Sequence, residues 1–195
     1  MKNNHPQKGS SITVDPIRSE RDIQRIKKLL SSNSRDLLLF TMGINNGLRI
    51  SDLLNLKVGQ VRNLEVGQVV VIKEKKTGKK NFLMVNKGVY SVLGDFLGGR
   101  EDLTDDDFLF QSRKGQNEPL TVSSVNRMVK EWTFGMTGNY GTHSLRKTFG
   151  YVQRTKYGVS FEILCKRFNH SNPSTTMRYL GIQSQEVNDI LMNEI

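Results

Sequence analysis

Two basic side chains, His143 and Arg146, stand three residues apart at the predicted start of a helix. Residues at this spacing lie on one helix face, so the imidazole and the guanidinium would point the same way. A guanidinium grips two phosphate oxygens in a fork, and an imidazole adds a proton donor or acceptor. The pair suits phosphate chemistry, although alone it is better explained by a helix-capping histidine and a surface arginine.

Four further residues stand out by type and setting: Arg49, Lys76, His170 and Tyr179. Arg49 follows an Asn-Gly-Leu turn, and Asp52, three residues on, could hold its guanidinium or cap a helix. Lys76 stands beside a tight turn, and Tyr179 follows His170 by nine residues. Each residue also has an ordinary interpretation: a surface arginine, a solvated turn lysine, a loop histidine and a half-buried tyrosine.

The order and spacing of these residues carry more information than any one of them. From the N-terminus the chain shows Gly47-Leu48-Arg49, Lys76, His143-x-Leu145-Arg146, His170 and Tyr179. In this order the chain resembles the tyrosine recombinase, or phage integrase, family, over about residues 20–180. The resemblance implies an α+β fold: a mostly helical tyrosine-recombinase catalytic domain with a small antiparallel β-sheet.

Two details of the match require comment. Several lysines crowd the same predicted hairpin: Lys73, Lys75, Lys76, Lys79 and Lys80. Lys76 is preferred among them because of its Lys-Thr-Gly context. The family usually has glycine before its second histidine, whereas this chain has Asn169. Asparagine tolerates left-handed backbone better than most residues, so the loop is expected to keep its shape.

The resemblance implies a site-specific DNA recombinase that cleaves and rejoins DNA through a 3′-phosphotyrosyl intermediate. Tyr179 would be the nucleophile, and the covalent link would conserve the bond energy, so that neither metal, cofactor nor ATP is required. Arg49 and Arg146 would clamp the non-bridging oxygens, on which charge builds in the transition state.

The remaining roles concern protons. His143 would accept the proton of the tyrosine, whose own pKa is too high for it to ionise unaided at neutral pH. Lys76 would protonate the leaving 5′-oxygen as a general acid. His170 would bond a phosphate oxygen and help to position it.

Exchange between two duplexes requires four active sites. The resemblance therefore implies double-stranded DNA as the partner and a homotetramer on DNA, with a monomer in solution. Residues 183–195 are amphipathic enough to dock on a neighbouring protomer or on their own domain. Two alternatives stay open: a type IB topoisomerase-like relaxing enzyme, which the small size and the His-x-Leu-Arg box disfavour, and a non-catalytic DNA-binding regulator, which the complete residue set disfavours.

The composition agrees with a nucleic-acid partner. The chain of 195 residues carries 29 Lys and Arg against 19 Asp and Glu, a formal net charge of +10. Such an excess favours polyanions, because each phosphate contact releases counterions. The single cysteine, Cys165, excludes an internal disulfide and fits a reducing cytoplasm. Three histidines and one cysteine make a structural zinc site improbable, and no apolar run is long enough for a membrane span.

Hydrophobic periodicity and capping residues predict the elements that must position these residues. Helices are predicted at 20–30, 34–46, 51–56, 87–97, 122–132, 144–157, 161–168, 175–180 and 184–192. Strands are predicted at 68–75 and 81–86 around a turn at 77–79, with a further strand near 57–61.

The predicted organisation is a flexible leader at residues 1–17 followed by a catalytic domain at 18–195. Many family members carry a helical core-binding domain before the catalytic one. The roughly 18 residues before the first predicted helix are too few for such a domain. Two interpretations remain, an isolated catalytic domain or a naturally short recombinase.

Overall fold

The computed structural model describes residues 13–181, 191, 192 and 194. Within this part of the chain, helices and strands follow one another as α1 (Glu20–Leu29), α2 (Ser34–Asn46), α3 (Ile50–Leu53), β1 (Val69–Lys73), β2 (Lys80–Met84), α4 (Lys87–Gly98), α5 (Val122–Trp132), α6 (Thr142–Tyr157), α7 (Phe161–Phe168) and α8 (Pro173–Leu180). The predicted class, a mostly helical α+β domain with a small antiparallel sheet, is confirmed.

Side-chain caps set the helix starts. The Ser19 hydroxyl accepts a hydrogen bond from the Asp22 amide, and the Thr121 hydroxyl accepts one from the Ser124 amide. These bonds satisfy amides that have no partner inside the helix. At the other end of α2, Gly47 has φ 58°. A Cβ at this position would collide with the ring of Phe149, so both the turn and the packing call for glycine.

The two strands form one antiparallel hairpin, with Val69 opposite Met84 and Lys73 opposite Lys80. The Glu74 amide donates to the Lys79 carbonyl (2.9 Å) and closes the turn. Alternation places Ile72 and Leu83 in the core, as period-two burial requires. The hairpin therefore presents its turn, residues 74–79, towards helix α3 and the region described below.

The third strand predicted near residues 57–61 is wrong. Val58–Gln60 instead form a 3-10 helix, and Lys57 makes only an isolated bridge with Phe108. The Val58 amide donates to the Asp107 carbonyl (2.9 Å), and the Gly59 amide donates to the Asp105 carbonyl (3.0 Å). These amides are thus used by the acidic loop and are not free for a strand ladder.

The segment 13–17, which was predicted as part of a flexible leader, is packed. Ile17 is fully buried, and its amide donates to the Thr148 hydroxyl of α6 (2.8 Å). The Asp15 amide donates to the Asn139 carbonyl (2.7 Å), and the Asn139 amide returns a bond to the Asp15 carboxylate (3.0 Å). The few apolar residues of this otherwise polar stretch, Ile12, Val14 and Ile17, give no sustained periodic signal, so the sequence did not reveal this packing.

The helix predicted at 175–180 differs from the structure at its start. Helix α8 begins two residues earlier than predicted because Pro173 occupies its first turn, where the missing N–H costs nothing. The helix predicted at 184–192 lies largely outside the described residues.

Two apolar clusters meet at helix α6. The larger one includes Phe40 and Trp132, whose rings meet edge to face at 6.0 Å. The smaller one joins α7 and α8 through Phe168 and Leu180. A Cβ on Gly150 of α6 would lie 2.7 Å from atoms of both Phe168 and Leu180. This close approach brings the helix that carries His143 and Arg146 against the helix that carries Tyr179.

Candidate active site

The structure brings the six predicted residues together. Arg49, Lys76, His143 and Arg146 line one cleft of about 250 Å³. His143 also lines a second cleft, of about 450 Å³, together with Tyr179. The His170 ring meets the Tyr179 ring edge to face, with 5.2 Å between ring centroids. Residues separated by up to 130 positions in sequence thus meet at one surface region.

Arg146 is held rigidly at the base of the first cleft. Its side chain is buried, and it donates to the Gly47 carbonyl (2.9 Å) and the Phe168 carbonyl (2.7 Å). The guanidinium also lies over the Phe168 ring at 4.6 Å. Arginine has five N–H donors, so donors remain for a ligand. Burial lowers the pKa of Arg146, yet the group stays a cation at neutral pH.

Arg49 begins α3 and forms an ion pair with Glu74, with 2.6 Å between Nη1 and Oε2. Glu74 is almost fully buried just before the hairpin turn. Burial alone would raise the pKa of Glu74, but hydrogen bonds from Thr77, Asn81 and Arg49 outweigh it and lower this pKa to about 2. A permanent carboxylate therefore fixes Arg49 and, through Thr77, the turn that carries Lys76.

The polar network that surrounds the Arg49–Glu74 ion pair was not predicted from the sequence. Asn81 donates to Glu74 (2.8 Å) and accepts from Arg167 Nη1 (2.8 Å). Arg167 also donates to the carbonyls of Asn46 and Phe82. The network joins the hairpin, α2 and α7. An acidic residue amid lysines at the hairpin was the only available signal, since the contacts of Asn81 and Arg167 are long-range.

Asp52, which the sequence offered as a partner for Arg49, takes another role. Its Oδ1 accepts the Lys75 amide (2.9 Å) and so ties the hairpin turn to α3. Burial raises the pKa of Asp52, and the nearby Glu74 carboxylate adds to this effect. Asp52 therefore positions the backbone next to Lys76, whereas Glu74 holds the guanidinium of Arg49.

His143 stands between the two clefts on the first turn of α6. Its pKa is lowered, first by desolvation and then by the positive charges of Arg146, Arg49, Lys147 and Lys76. The imidazole is therefore neutral at neutral pH. Lys76 itself is exposed at the hairpin turn and borders the same cleft.

His170 is oriented by Thr176, whose buried hydroxyl lies 2.9 Å from Nδ1. Burial, followed by the charges of Arg146 and Arg49, lowers the pKa of His170 to about 4. Its neighbour Asn169 ends α7 in the left-handed conformation, with φ 53°. The asparagine at this usual glycine position thus keeps the turn, as expected from the sequence.

Tyr179 is packed between aromatic rings, with centroids 5.7 Å from Phe168 and 5.2 Å from His170. Its hydroxyl is buried and makes no hydrogen bond of regular geometry within the described part of the chain. Burial raises the pKa of Tyr179 to about 12, although Arg146 and Arg49 act in the opposite direction. The hydroxyl is therefore protonated at neutral pH and lies beside two guanidinium groups.

Fold and site together define an α+β domain that directs two arginines, two histidines, a lysine and a half-buried tyrosine to one surface. The sequence pattern of the phage integrase family matches residues 19–186. A protein of Bacillus subtilis named "Probable integrase/recombinase YoeC" is 38% identical over 173 residues, which covers 87% of this chain and 90% of that protein. The chain belongs to the phage integrase family.

Other relatives are longer. Tyrosine recombinase XerA of Pyrococcus horikoshii is 27% identical over 169 residues, which covers 85% of this chain but 58% of that protein. Tyrosine recombinase XerC of Caldanaerobacter subterraneus subsp. tengcongensis is 27% identical over 177 residues, which covers 86% of this chain and 48% of that protein. The chain thus spans about half the length of these two relatives.

Solved structures share the fold. The crystal structure of XerA recombinase superposes with a TM-score of 0.73 at 20% identity, covering 97% of this chain and 68% of that one. The post-cleavage complex of XerH with palindromic difH substrate gives a TM-score of 0.73 at 21% identity, covering 96% of this chain and 55% of that one. At such identities the likeness shows the fold alone.

Membership of this family makes the protein a tyrosine-type site-specific recombinase, as the sequence predicted. The topoisomerase and regulator alternatives are not favoured, because the curated relatives are named integrases, recombinases and a resolvase. None of the helices in the described residues is long and apolar enough to cross a membrane.

Proposed function

We propose that Arg49, Lys76, His143, Arg146, His170 and Tyr179 form the catalytic site of a DNA strand-exchange reaction, with Tyr179 as the nucleophile. The observation that carries the proposal is the setting of Tyr179. Its buried hydroxyl makes no hydrogen bond of regular geometry among the described residues, and it lies close enough to Arg146 and Arg49 for both guanidinium groups to oppose the rise in its pKa. An unsatisfied buried hydroxyl costs free energy, so its persistence is best explained by function.

The two arginines would bind the scissile phosphate. Arg146 is fixed by two backbone carbonyls, and Arg49 is fixed by the Glu74 carboxylate. Fixed donors stabilise transition-state charge without having to reorganise during the reaction. The Glu74 carboxylate offsets part of the mutual repulsion between the Arg49 and Arg146 guanidinium groups. Both arginines can therefore be held in place before DNA binds.

The lowered pKa of His143 and the raised pKa of Tyr179 support one direction for the first proton transfer. As the Tyr179 oxygen attacks phosphorus, its proton would pass to neutral His143, and the bond to the 5′-oxygen would break. Lys76 would give that oxygen its proton, leaving a 5′-hydroxyl and a 3′-phosphotyrosyl link. His170, held by Thr176, would donate from Nε2 to a phosphate oxygen. Attack by another strand's 5′-hydroxyl would reverse these steps and rejoin the DNA.

The partner in this proposal is double-stranded DNA. The net charge of +10 supports it, and so do the solved structures of XerH bound to difH substrate and of a lambda integrase dimer bound to a core site. We propose that residues from about 18 onwards, with 13–17 packed against them, act as a catalytic domain. Strand exchange would need a homotetramer on DNA built from solution monomers. The single cysteine, which rules out an internal disulfide, supports a location in the reducing cytoplasm.

Covalent capture tests the proposal. Wild-type protein and Tyr179→Phe would be mixed with DNA flanking the gene, in EDTA, and quenched with detergent. We expect a protein–DNA adduct with wild type alone, while both proteins bind the DNA equally. Tyr157→Phe, which alters an exposed tyrosine of α6, serves as the matched control and should form the adduct. An adduct that persists in Tyr179→Phe would contradict the assignment.

A further inference from the structure

Lys147 has a setting that the proposed chemistry does not use. It follows Arg146 in α6, is 5% exposed, and places Nζ 4.9 Å from the centroid of the Tyr179 ring. Within the described residues it makes neither a hydrogen bond nor an ion pair, the ring contact being its one polar interaction. Burying an unpaired ammonium group is costly, and burial lowers the pKa of Lys147 accordingly.

The cleft beside Lys147 is basic. It has a volume of about 450 Å³ and is lined by Lys147, His143, Thr175, Arg178 and Tyr179, together with residues 13 and 14. None of the described residues that line it is acidic. The charges that act on Lys147 from the neighbouring elements are those of Asp15, which the Asn139 amide already engages, and of Arg18.

The position of this cleft relative to the first one is informative. His143 lines both, so the two clefts adjoin at a single side chain. The first cleft carries the two arginines proposed to bind the scissile phosphate. Successive phosphates of one strand are separated by one sugar, so a strand that has its scissile phosphate in the first cleft and runs past His143 would place a neighbouring phosphate close to the second.

We propose that the second cleft binds a DNA phosphate next to the scissile one, with Lys147 as its main ligand and Arg178 at its rim. The inference rests on the proposed function and deepens it. A phosphate would supply the counter-charge that Lys147 lacks in the free protein. It would also fix the strand so that the scissile phosphorus faces the Tyr179 hydroxyl, which makes Lys147 a substrate-positioning residue.

Neutral-backbone scanning provides the test. Each phosphate near the cleavage point would be replaced singly by an uncharged methylphosphonate, and adduct formation would be timed. With wild type we expect one neighbouring position at which the rate falls about ten-fold, the cost of losing a charge-assisted bond. Lys147→Met should be about ten-fold slower on unmodified DNA and should lose nothing further at that same position.

Stability separates this role from a structural one. Because Lys147 is buried without a partner, Lys147→Met should unfold at a higher denaturant concentration than wild type, whereas loss of a structural contact would lower it. Lys147→Arg keeps the charge and should keep the methylphosphonate effect. Lys156→Met is the matched control, since Lys156 is exposed on the same helix and pairs with Glu20.

Two outcomes would overturn the inference, and they differ. If Lys147→Met shows the same methylphosphonate sensitivity as wild type at every position, Lys147 contacts no phosphate although the reaction proceeds. If wild type forms no adduct on unmodified DNA, the proposed function itself fails, and the phosphate site fails with it.

Discussion

At the scale of single residues, one site shifts two pKa values in opposite directions. Burial of its hydroxyl raises the pKa of Tyr179 to about 12, and partial desolvation together with neighbouring cations lowers the pKa of His143. Both shifts have the same cause, because a low-dielectric site disfavours the charged form of each group. Tyr179 is thus protonated at neutral pH, and in the proposed reaction its proton would leave as the bond to phosphorus forms.

This shift predicts the pH dependence of cleavage. Because the pKa of His143 lies below the ordinary 6.5, its neutral form persists as pH falls through 6.5 and is lost only below that value. The rate of adduct formation should therefore still exceed half of its maximum at pH 6.5 and fall through the half-maximal value at lower pH. His143→Gln should be slower throughout and should lack this decline. A half-maximal rate at or above pH 6.5 in wild type would refute the assignment of His143 as the base.

At the scale of elements, the hairpin is joined to the helices by polar side chains rather than by apolar packing alone. Glu74 and Asn81 connect it to Arg49 and Arg167, and the Lys75 amide connects it to Asp52. Both strands have an exposed outer face, with Val71 and Phe82 roughly half exposed. The turn that carries Lys76 therefore depends on this network for its position.

Glu74→Gln tests the network through stability. The folded pKa of Glu74, about 2, lies below the ordinary 4.5, so its contribution is fully present above pH 4.5 and is lost as pH falls towards 2. The variant should be less stable at neutral pH by on the order of 3 kcal/mol. In urea unfolding, the difference from wild type should shrink as pH falls below 4.5.

The control for this experiment is Glu131→Gln. Glu131 is exposed and lies 3.9 Å from Arg127, a surface pair of small expected value. Its unfolding free energy should match that of wild type at each pH. A constant difference between Glu74→Gln and wild type from pH 7 to pH 3 would show that the carboxylate charge does not stabilise the fold.

At the scale of the whole molecule, the site depends on how closely α6 approaches α7 and α8. Gly150 permits that approach, because a Cβ there would overlap Phe168 and Leu180. Gly150→Ala should lower the unfolding free energy by about 1–3 kcal/mol, the usual cost of overpacking, and should slow adduct formation by displacing Tyr179. Gly94→Ala on α4 meets open space and should stabilise by up to about 1 kcal/mol. If Gly150→Ala also stabilised the protein, the close approach of α6 to α8 would not depend on the missing Cβ of Gly150.

The sequence predicted local features well and long-range ones poorly. Caps at Ser19 and Thr121 and the break at Gly47 act within a few residues, so helix starts and stops followed from pattern. The six site residues followed from their order along the chain. The roles of Glu74 and Lys147 could not be predicted from the sequence. Glu74 pairs with Arg49, and Lys147 lines a cleft, through residues that are distant in sequence and lie on other elements. The strand predicted near residue 58 failed because a distant acidic loop engages its amides.

Identification of the DNA-linked residue would decide whether Tyr179 is the nucleophile. Wild-type adduct would be trapped in EDTA, digested with nuclease and protease, and analysed by mass spectrometry, while the released DNA ends are labelled. We expect a nucleotide that is linked through its 3′-phosphate to the peptide containing Tyr179. The other DNA end should carry a free 5′-hydroxyl. A nucleotide on any other residue, a 5′-phosphate linkage or a requirement for a divalent metal would contradict it.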